Sequence, residues 1–272
     1  MANTPVQKNQ SDVVAKDNVV DMSMFAADAG MGNKEINQES LSIPFLKTNL
    51  SKSIRAQFKG SSEGDIINTV TSQIYNGEEG IRVIPCAYQR RFIHWSPPGD
   101  DNPAPIAIYS RREDCPPTER SKKKGDQKDY LTDGSGHYIE DTHQHYVLVI
   151  NKDGTTDLGM IAMKSTSLKK SKKWNSIIMG RKFIGQDGQP FNPPRCSHVY
   201  HLWTFLEEGE QYAWYNWEMK LEGQVTNKAY YDEAKMFALS VERGDVDVKH
   251  EQEGGTSSGP VDDDVSDDKI PF

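Results

Sequence analysis

The stretch Ile81-Arg82-Val83-Ile84-Pro85-Cys86-Ala87-Tyr88-Gln89-Arg90-Arg91-Phe92-Ile93-His94-Trp95 is dense in β-branched and aromatic side chains and reads as one long strand. Pro85 within it cannot donate to a ladder, which implies an edge or a bulge at that point. His145-Tyr146-Val147-Leu148-Val149-Ile150-Asn151 is a second strand, Asp153-Gly154 a hairpin turn, and residues 156–162 the returning partner. Residues 197–206 and 212–221 form a further pair around the turn Glu208-Gly209-Glu210. Upstream, Gly64-Asp65-Ile66-Ile67-Asn68-Thr69-Val70 and Ile74-Tyr75 are short strand signals, followed by an Asn76-Gly77 turn. The ordered part starts at Ile43-Pro44-Phe45-Leu46, where Pro44 rules out a central strand.

Two segments have helical periodicity. In residues 164–183, Leu168, Trp174, Ile177 and Ile178 recur at helical spacing, with Ser165 or Ser167 to cap the start. This segment also holds Lys164, Lys169, Lys170, Lys172, Lys173, Arg181 and Lys182 and no acid, so it reads as an amphipathic helix with a basic outer face. In residues 228–242, Ala234, Phe237, Ala238 and Val241 form an apolar stripe between an Asn227 N-cap and Gly244. Residues 96–143 read as a long basic loop, punctuated by Pro97-Pro98-Gly99 and Pro116-Pro117. Residues 1–40 are polar and expected to be disordered, apart from Met22-Ser23-Met24-Phe25-Ala26-Ala27, which suits one helical turn or a docking segment. The expected organisation is an arm over 1–40, one domain over 41–244 and a disordered acidic tail over 245–272.

The formal charge is −8, but residues 245–272 carry nine acids and two lysines, a net of −7. The body is therefore nearly neutral with its bases clustered, and the acidic total does not exclude nucleic acid. Cys86, Cys115 and Cys196 are far apart and odd in number, forming neither a Cys-x-x-Cys pair nor a disulfide framework. With no apolar leader and no stretch approaching 18 apolar residues, the expected compartment is a reducing cytoplasm, that of a host cell if the chain is phage-encoded.

The last twelve residues pack five aspartates and one lysine before Ile270-Pro271-Phe272. So acidic a run stays solvated, and its apolar end beside a carboxylate suits a pocket with an apolar floor and a basic rim. The plain alternative is a solubilising tail. This end resembles the C-terminal tip of bacterial single-stranded DNA-binding proteins and their phage counterparts, which close an Asp-rich run with Ile-Pro-Phe or a terminal Phe. More diffusely, Ile43-Pro44-Phe45-Leu46, Gly64-Asp65-Ile66-Ile67-Asn68-Thr69-Val70 and Gly80-Ile81-Arg82-Val83-Ile84-Pro85 resemble a pattern of the tailed-phage members, over about residues 40–240.

The resemblance implies a mainly β, OB-fold-like five-stranded barrel, and short strands with one internal helix and a closing C-terminal helix are compatible with it. It also implies that Asp262, Asp263, Asp264, Asp267, Asp268, Ile270, Pro271 and Phe272 recruit replication and recombination proteins and compete with DNA for the groove. Binding single strands without sequence preference requires a positive groove and aromatic faces on which bases stack. The phosphate candidates are Arg90, Arg91, Lys164, Lys169, Lys170, Lys172, Lys173, Arg181 and Lys182. The stacking candidates are Tyr88, Phe92, Trp95, Trp174, Trp203, Trp214, Tyr215 and Trp217. Against the latter, aromatic strand residues usually pack in cores, and Trp174 is equally a buried anchor of its helix. The chain has no catalytic signature and no implied cofactor. The alternatives are an RNA-binding or strand-annealing module, a phage structural or interaction protein, and a metal-dependent nuclease. The last would use His137, Glu140, Asp141, His143 and His145, and a structural zinc on Cys115 with those histidines is a related possibility.

Overall fold

A computed structural model describes residues 22–33, 42–48, 50, 52–97, 104–123, 126, 128–209, 213–246, 248 and 250. The acidic tip over 261–272, with all eight of its expected partner-binding residues, lies outside the described residues. By internal contacts the chain divides into Met1–Asn37 and Gln38–Phe272. The first unit contains the helix α1 (Met22–Ala27), at the apolar patch of the arm.

The second unit is mainly β. A small sheet joins β1 (Leu46–Lys47), β2 (Ile66–Asn68) and β3 (Ile74–Tyr75), and the four-residue helix α2 (Lys52–Arg55) lies between its first two strands in the chain. The main sheet begins with β4 (Ile81–Trp95), followed by β5 (Ala107–Tyr109), β6 (Thr118–Arg120), β7 (Asp129–Leu131), β8 (Tyr138–Ile150) and β9 (Thr156–Lys164). After the helix α3 (Leu168–Met179) and a two-stranded ribbon, β10 (Phe183–Ile184) with β11 (Pro190–Phe191), the sheet resumes with β12 (His198–Glu208) and β13 (Ala213–Gln224). The helix α4 (Lys228–Arg243) follows. The order is β13-β12-β4-β8-β7-β6, with β5 on β4 and β9 on β8, all antiparallel.

Residues 96–143, expected as a loop, instead carry β5, β6, β7 and the start of β8. The reason lies in β4. It is paired with β8 as far as Trp95 opposite Tyr138, so the partner strand must begin well before His145. The ladder shifts register between Pro85 and Ala87, as the proline requires. No strand pairs with the other edge of β4 between Val83, where β12 stops, and Phe92, where β5 begins.

The sheet curls into a half-barrel with a distinct core on each side. Inside lie Val83, Val147, Val149, Ile161, Met163, Leu202, Trp217 and Met219, joined by Leu46 and Ile66 of the small sheet and by Trp174 and Ile178 of α3. Outside, Ile84, Cys86, Tyr146, Leu148 and Met160 pack against Ala234, Phe237 and Val241 of α4. The caps of α4 fall where its sequence puts them. The Asn227 side chain accepts from the Ala229 amide, and Gly244 takes the left-handed conformation at φ 81°. The small sheet ties the two far strands together. The Met160 amide donates to Pro44 at 2.9 Å, and the Thr204 amide and hydroxyl donate to the carbonyls of Gly77 and Gly64 at 2.8 and 2.5 Å.

A polar chain fixes α3 onto β8 beside the buried Trp174. Arg195 donates to His145 Nδ1 at 2.9 Å, so the His145 proton sits on Nε2. That nitrogen donates to Ser171 Oγ at 2.8 Å, and the Ser171 hydroxyl donates to His143 Nδ1 at 2.7 Å. The guanidinium therefore sets the His145 tautomer, and that ring is neutral. Burial pushes His145 well below the ordinary histidine range, reinforced by Arg195 and His143. His143 is lowered too, by burial against the opposing pull of Asp141.

Two predictions follow from this packing. A Cβ on Gly77 would lie 2.1 Å from the Gly64 carbonyl oxygen, whereas one on Gly223 meets open space. Gly77→Ala should cost about 1–3 kcal/mol in denaturant unfolding, and a cost no larger than that of Gly223→Ala would contradict the close approach. Because the buried histidines bind protons less readily folded than unfolded, their contribution is complete above about pH 6.5. It falls as the pH drops below that value, so the melting temperature should decline between pH 7 and pH 5.5. A flat profile would contradict the neutral chain.

Candidate nucleic-acid interface

The exposed half of α3 is basic because its apolar stripe is narrow. Ser171, Trp174 and Ile178 are buried at i, i+3 and i+7. At 100° per residue, Lys172, Lys169, Lys173 and Lys170 then fan across about 160° of the opposite surface, in that order. Ser167 makes no side-chain cap and instead donates to Asn216 Oδ1 of β13 at 2.7 Å. Lys170 and Lys173 both reach Glu218 of β13, at 3.1 and 2.6 Å. Burial alone would raise the Glu218 carboxyl, but Lys173, the Met219 amide and Lys170 hold it below its ordinary value. Lys169 and Lys172 are exposed and form no ion pair with any described residue.

Beyond Lys170 lies the outer face of the β12–β13 hairpin. Cross-strand neighbours share a face, so the pairs His201–Lys220, Trp203–Glu218, Phe205–Asn216 and Glu207–Trp214 line one surface. Trp203, Phe205 and Trp214 are half-buried there, and the Lys170 ammonium sits 4.5 Å from the centre of the Phe205 ring. Phe205 was not among the candidates, although strand alternation from Trp203 points to it.

On the other flank of α3, β4 presents Tyr88 and Arg90, while the next residue, Arg91, points to the opposite face with Gln89, whose amide donates to the Val241 carbonyl of α4. Tyr88 is half-buried. Its ring meets His143 edge-on at 5.5 Å and His145 at 5.1 Å, with the Arg195 guanidinium over it at 5.5 Å. Arg195 also donates to Asn175 of α3 at 2.9 Å. Arg90 grips Asp141 through two hydrogen bonds of 2.8 and 2.7 Å, and Arg91 donates to Gln89 at 2.6 Å. Asp141, Arg90 and Lys172 all act on His143, which places this lysine on the β4 side of the helix. Nothing in the sequence marks Arg195 as part of this cluster, because it lies more than a hundred residues from Tyr88.

Several candidates lie elsewhere. Phe92, Trp95, Trp174 and Trp217 are buried at 4 %, 3 %, 0 % and 4 % exposure, and none of their faces is open to a base. The Tyr215 ring lies against Gly64, where an added Cβ would sit 2.4 Å from it. Lys164 pairs with Glu140 at 3.2 Å, Arg181 donates to the Ile177 carbonyl at 3.4 Å, and Lys182 bonds Asn192. Four of the seven basic residues of 111–128 are ion-paired: Arg111 with Asp114, Arg112 and Arg120 with Asp129, and Lys122 with Glu119. The proposed metal cluster is dispersed. His137 lies 3.1 Å from His94, Glu140 is on Lys164, Asp141 is on Arg90, and His143 and His145 share Ser171. Cys115 faces the Arg111 carbonyl at 3.6 Å. Among the described residues no three His, Cys, Asp or Glu side chains converge as a metal site, and no helix is long and apolar enough to cross a membrane.

Comparison with curated proteins and with solved structures returns no match. A family model described as "Pam3 phage gp34-like protein" matches residues 10–247, which include the whole main sheet, both long helices and the basic face of α3. The chain belongs to the Pam3 phage gp34-like family.

Proposed function

We propose that this chain binds single-stranded DNA without sequence preference, and that the strand runs across the basic face of α3. The observation that carries this reading is the fan of four lysines between two aromatic flanks. On one side are Trp203, Phe205 and Trp214; on the other is Tyr88 with Arg90. Lysines tracking phosphates and half-exposed rings stacking bases are the two elements that sequence-tolerant single-strand binding needs. The neutral-pH charge total is no obstacle, because attraction to a polyanion depends on where the cations cluster.

The strand order supports an OB-type reading of the body. A meander of β4, β8 and β9 is followed by an internal helix, then by the hairpin β12–β13, which returns to pair with β4. Such barrels are five-stranded and partly open, and the loops joining strands 1–2 and 4–5 contact the ligand. Here the aromatic flank lies at the base of the β12–β13 turn, and Arg90 and Arg91 lie at the base of the long β4–β8 connection. The acidic run 261–272 adds the second half of the reading. The tail expected to be disordered from residue 245 is in fact still on the body at Val246 and Val248, which pack against the outer core, and at His250, which bonds Gln144 at 2.8 Å. In this reading the acidic run beyond it competes with DNA for the lysines and, once displaced, is available to replication and recombination proteins.

Titration with oligo(dT) across salt concentrations tests the path. The double variant Lys169→Ala/Lys172→Ala should bind more weakly, with a log–log salt slope shallower by about 1.4, since each phosphate contact on a single strand contributes about 0.7. Trp203→Ala, Phe205→Ala and Trp214→Ala should each cost about 1–3 kcal/mol in affinity, whereas Lys182→Ala should not. Removing 261–272 should tighten binding at low salt. An unchanged affinity and slope in the double lysine variant would refute the path across α3, and tighter binding to matched RNA would favour the RNA-binding reading.

A further inference from the structure

Arg195 is a mostly buried cation that pairs with no carboxylate among the described residues. Its guanidinium is held in place by His145 Nδ1 and Asn175 Oδ1, both accepting from the same Nη2 at 2.9 Å. Burial lowers its pKa to about 10, and the groups that act against this are Tyr200, Cys86 and Tyr88, none of them an acid at neutral pH. Its Nε is buried without a hydrogen-bond partner. A buried donor left unmet is costly, and one on a charged group more so.

The same side chain lines a cavity of about 280 Å3. Tyr88, Gln89, Ile178, Met179 and Pro193 form much of its wall. The space is more than an inorganic anion fills. Glu242 also lines it, but Glu242 is exposed and makes no ion pair with Arg195. The cavity thus combines a pre-oriented guanidinium, an amide and a phenol with apolar walls. With Nε enclosed and Nη2 engaged twice, the donor left to a ligand is Nη1, which bonds no described residue and is not enclosed. A guanidinium so held suits a phosphate, and the aromatic and aliphatic walls suit a ring attached to it.

We infer that the Arg195 cavity is a nucleotide-phosphate pocket, in which the guanidinium takes the phosphate and the Tyr88–Ile178–Met179 walls take the attached nucleoside. The phosphate comes either from a free mononucleotide or from the phosphorylated end of a strand. Only the second source rests on the single-strand reading, since Tyr88 lies on the β4 flank of the proposed path.

The test uses the full chain and four probes: inorganic phosphate, thymidine, dTMP and oligo(dT) with a 5′-phosphate or a 5′-hydroxyl. Binding is followed by calorimetry and by the thermal midpoint. dTMP should bind and raise the midpoint, phosphate should bind more weakly, and thymidine should do neither. Arg195→Met should weaken dTMP about ten- to a hundredfold, the factor expected for losing a hydrogen-bonded charge. Met179→Glu sets a carboxylate at the exposed wall without touching the Arg195 network, and should weaken dTMP comparably while the chain stays folded. It decides the matter if Arg195→Met does not fold. Lys169→Ala/Lys172→Ala should leave the dTMP response intact, so failure of the groove and failure of this pocket are separable. Tighter binding of the 5′-phosphorylated oligomer identifies a strand end as the source, and equal binding identifies the free nucleotide. Thymidine binding as well as dTMP, no response to dTMP, or a dTMP response that survives Met179→Glu would each overturn the inference.

Discussion

The hydrogen-bond chain from Arg195 through His145 and Ser171 to His143 fixes α3 on the sheet, and the proposed binding surface depends on it. A helix carrying four lysines over one turn and a half and no acid has little intrinsic reason to lie against its neighbours. It is held by Trp174, which stacks on His145 at 4.6 Å and is fully buried, and by a serine small enough to reach both histidines. Because a permanently charged guanidinium begins the chain, the His145 proton has one place to sit, on Nε2 facing Ser171. The helix is thereby oriented with its lysines outward and its Asn175 side toward Tyr88.

Charge placement separates two kinds of basic segment in this protein. Along 111–128 four of the seven bases pair with acids on the same short strands and turns. On α3 no acid is available within the helix, and one carboxylate, Glu218, serves two lysines while two more have none. Exposed ion pairs contribute little stability, but they do cancel the local field that a polyanion would sense. The lysines without partners sit on the crest of the helix, between surfaces that carry half-exposed rings.

Much of this arrangement was legible in the sequence. The five long strands, the bulge at Pro85, the basic helix and both caps of α4 follow from alternation, proline chemistry and capping residues. The small strands β5, β6 and β7 were not legible, because three residues are too few to show a period. β5 forms on the edge of β4 beyond Arg91, β7 on the start of β8, and β6 on β7. Periodicity likewise could not divide the tryptophans. Trp217 and Trp214 are three residues apart on one strand, yet one faces the interior cluster and the other the outer surface. Parity along the strand predicts opposite faces, but only the position of α3 and the small sheet decides which face is covered. Arg195 was invisible for a different reason: its role comes from contacts with β8 and α3, distant in the chain.

The central claim is that half-exposed rings and unpaired lysines on one surface hold a single strand. Intrinsic tryptophan fluorescence, followed during oligo(dT) titration at several salt concentrations, tests it most directly. Of the five tryptophans, Trp203 and Trp214 are half-exposed and the other three are buried. The account predicts partial quenching, confined to the solvent-exposed component of the emission and weakening steeply as salt rises. No binding at low salt, or binding that leaves the exposed emission unchanged, would contradict it.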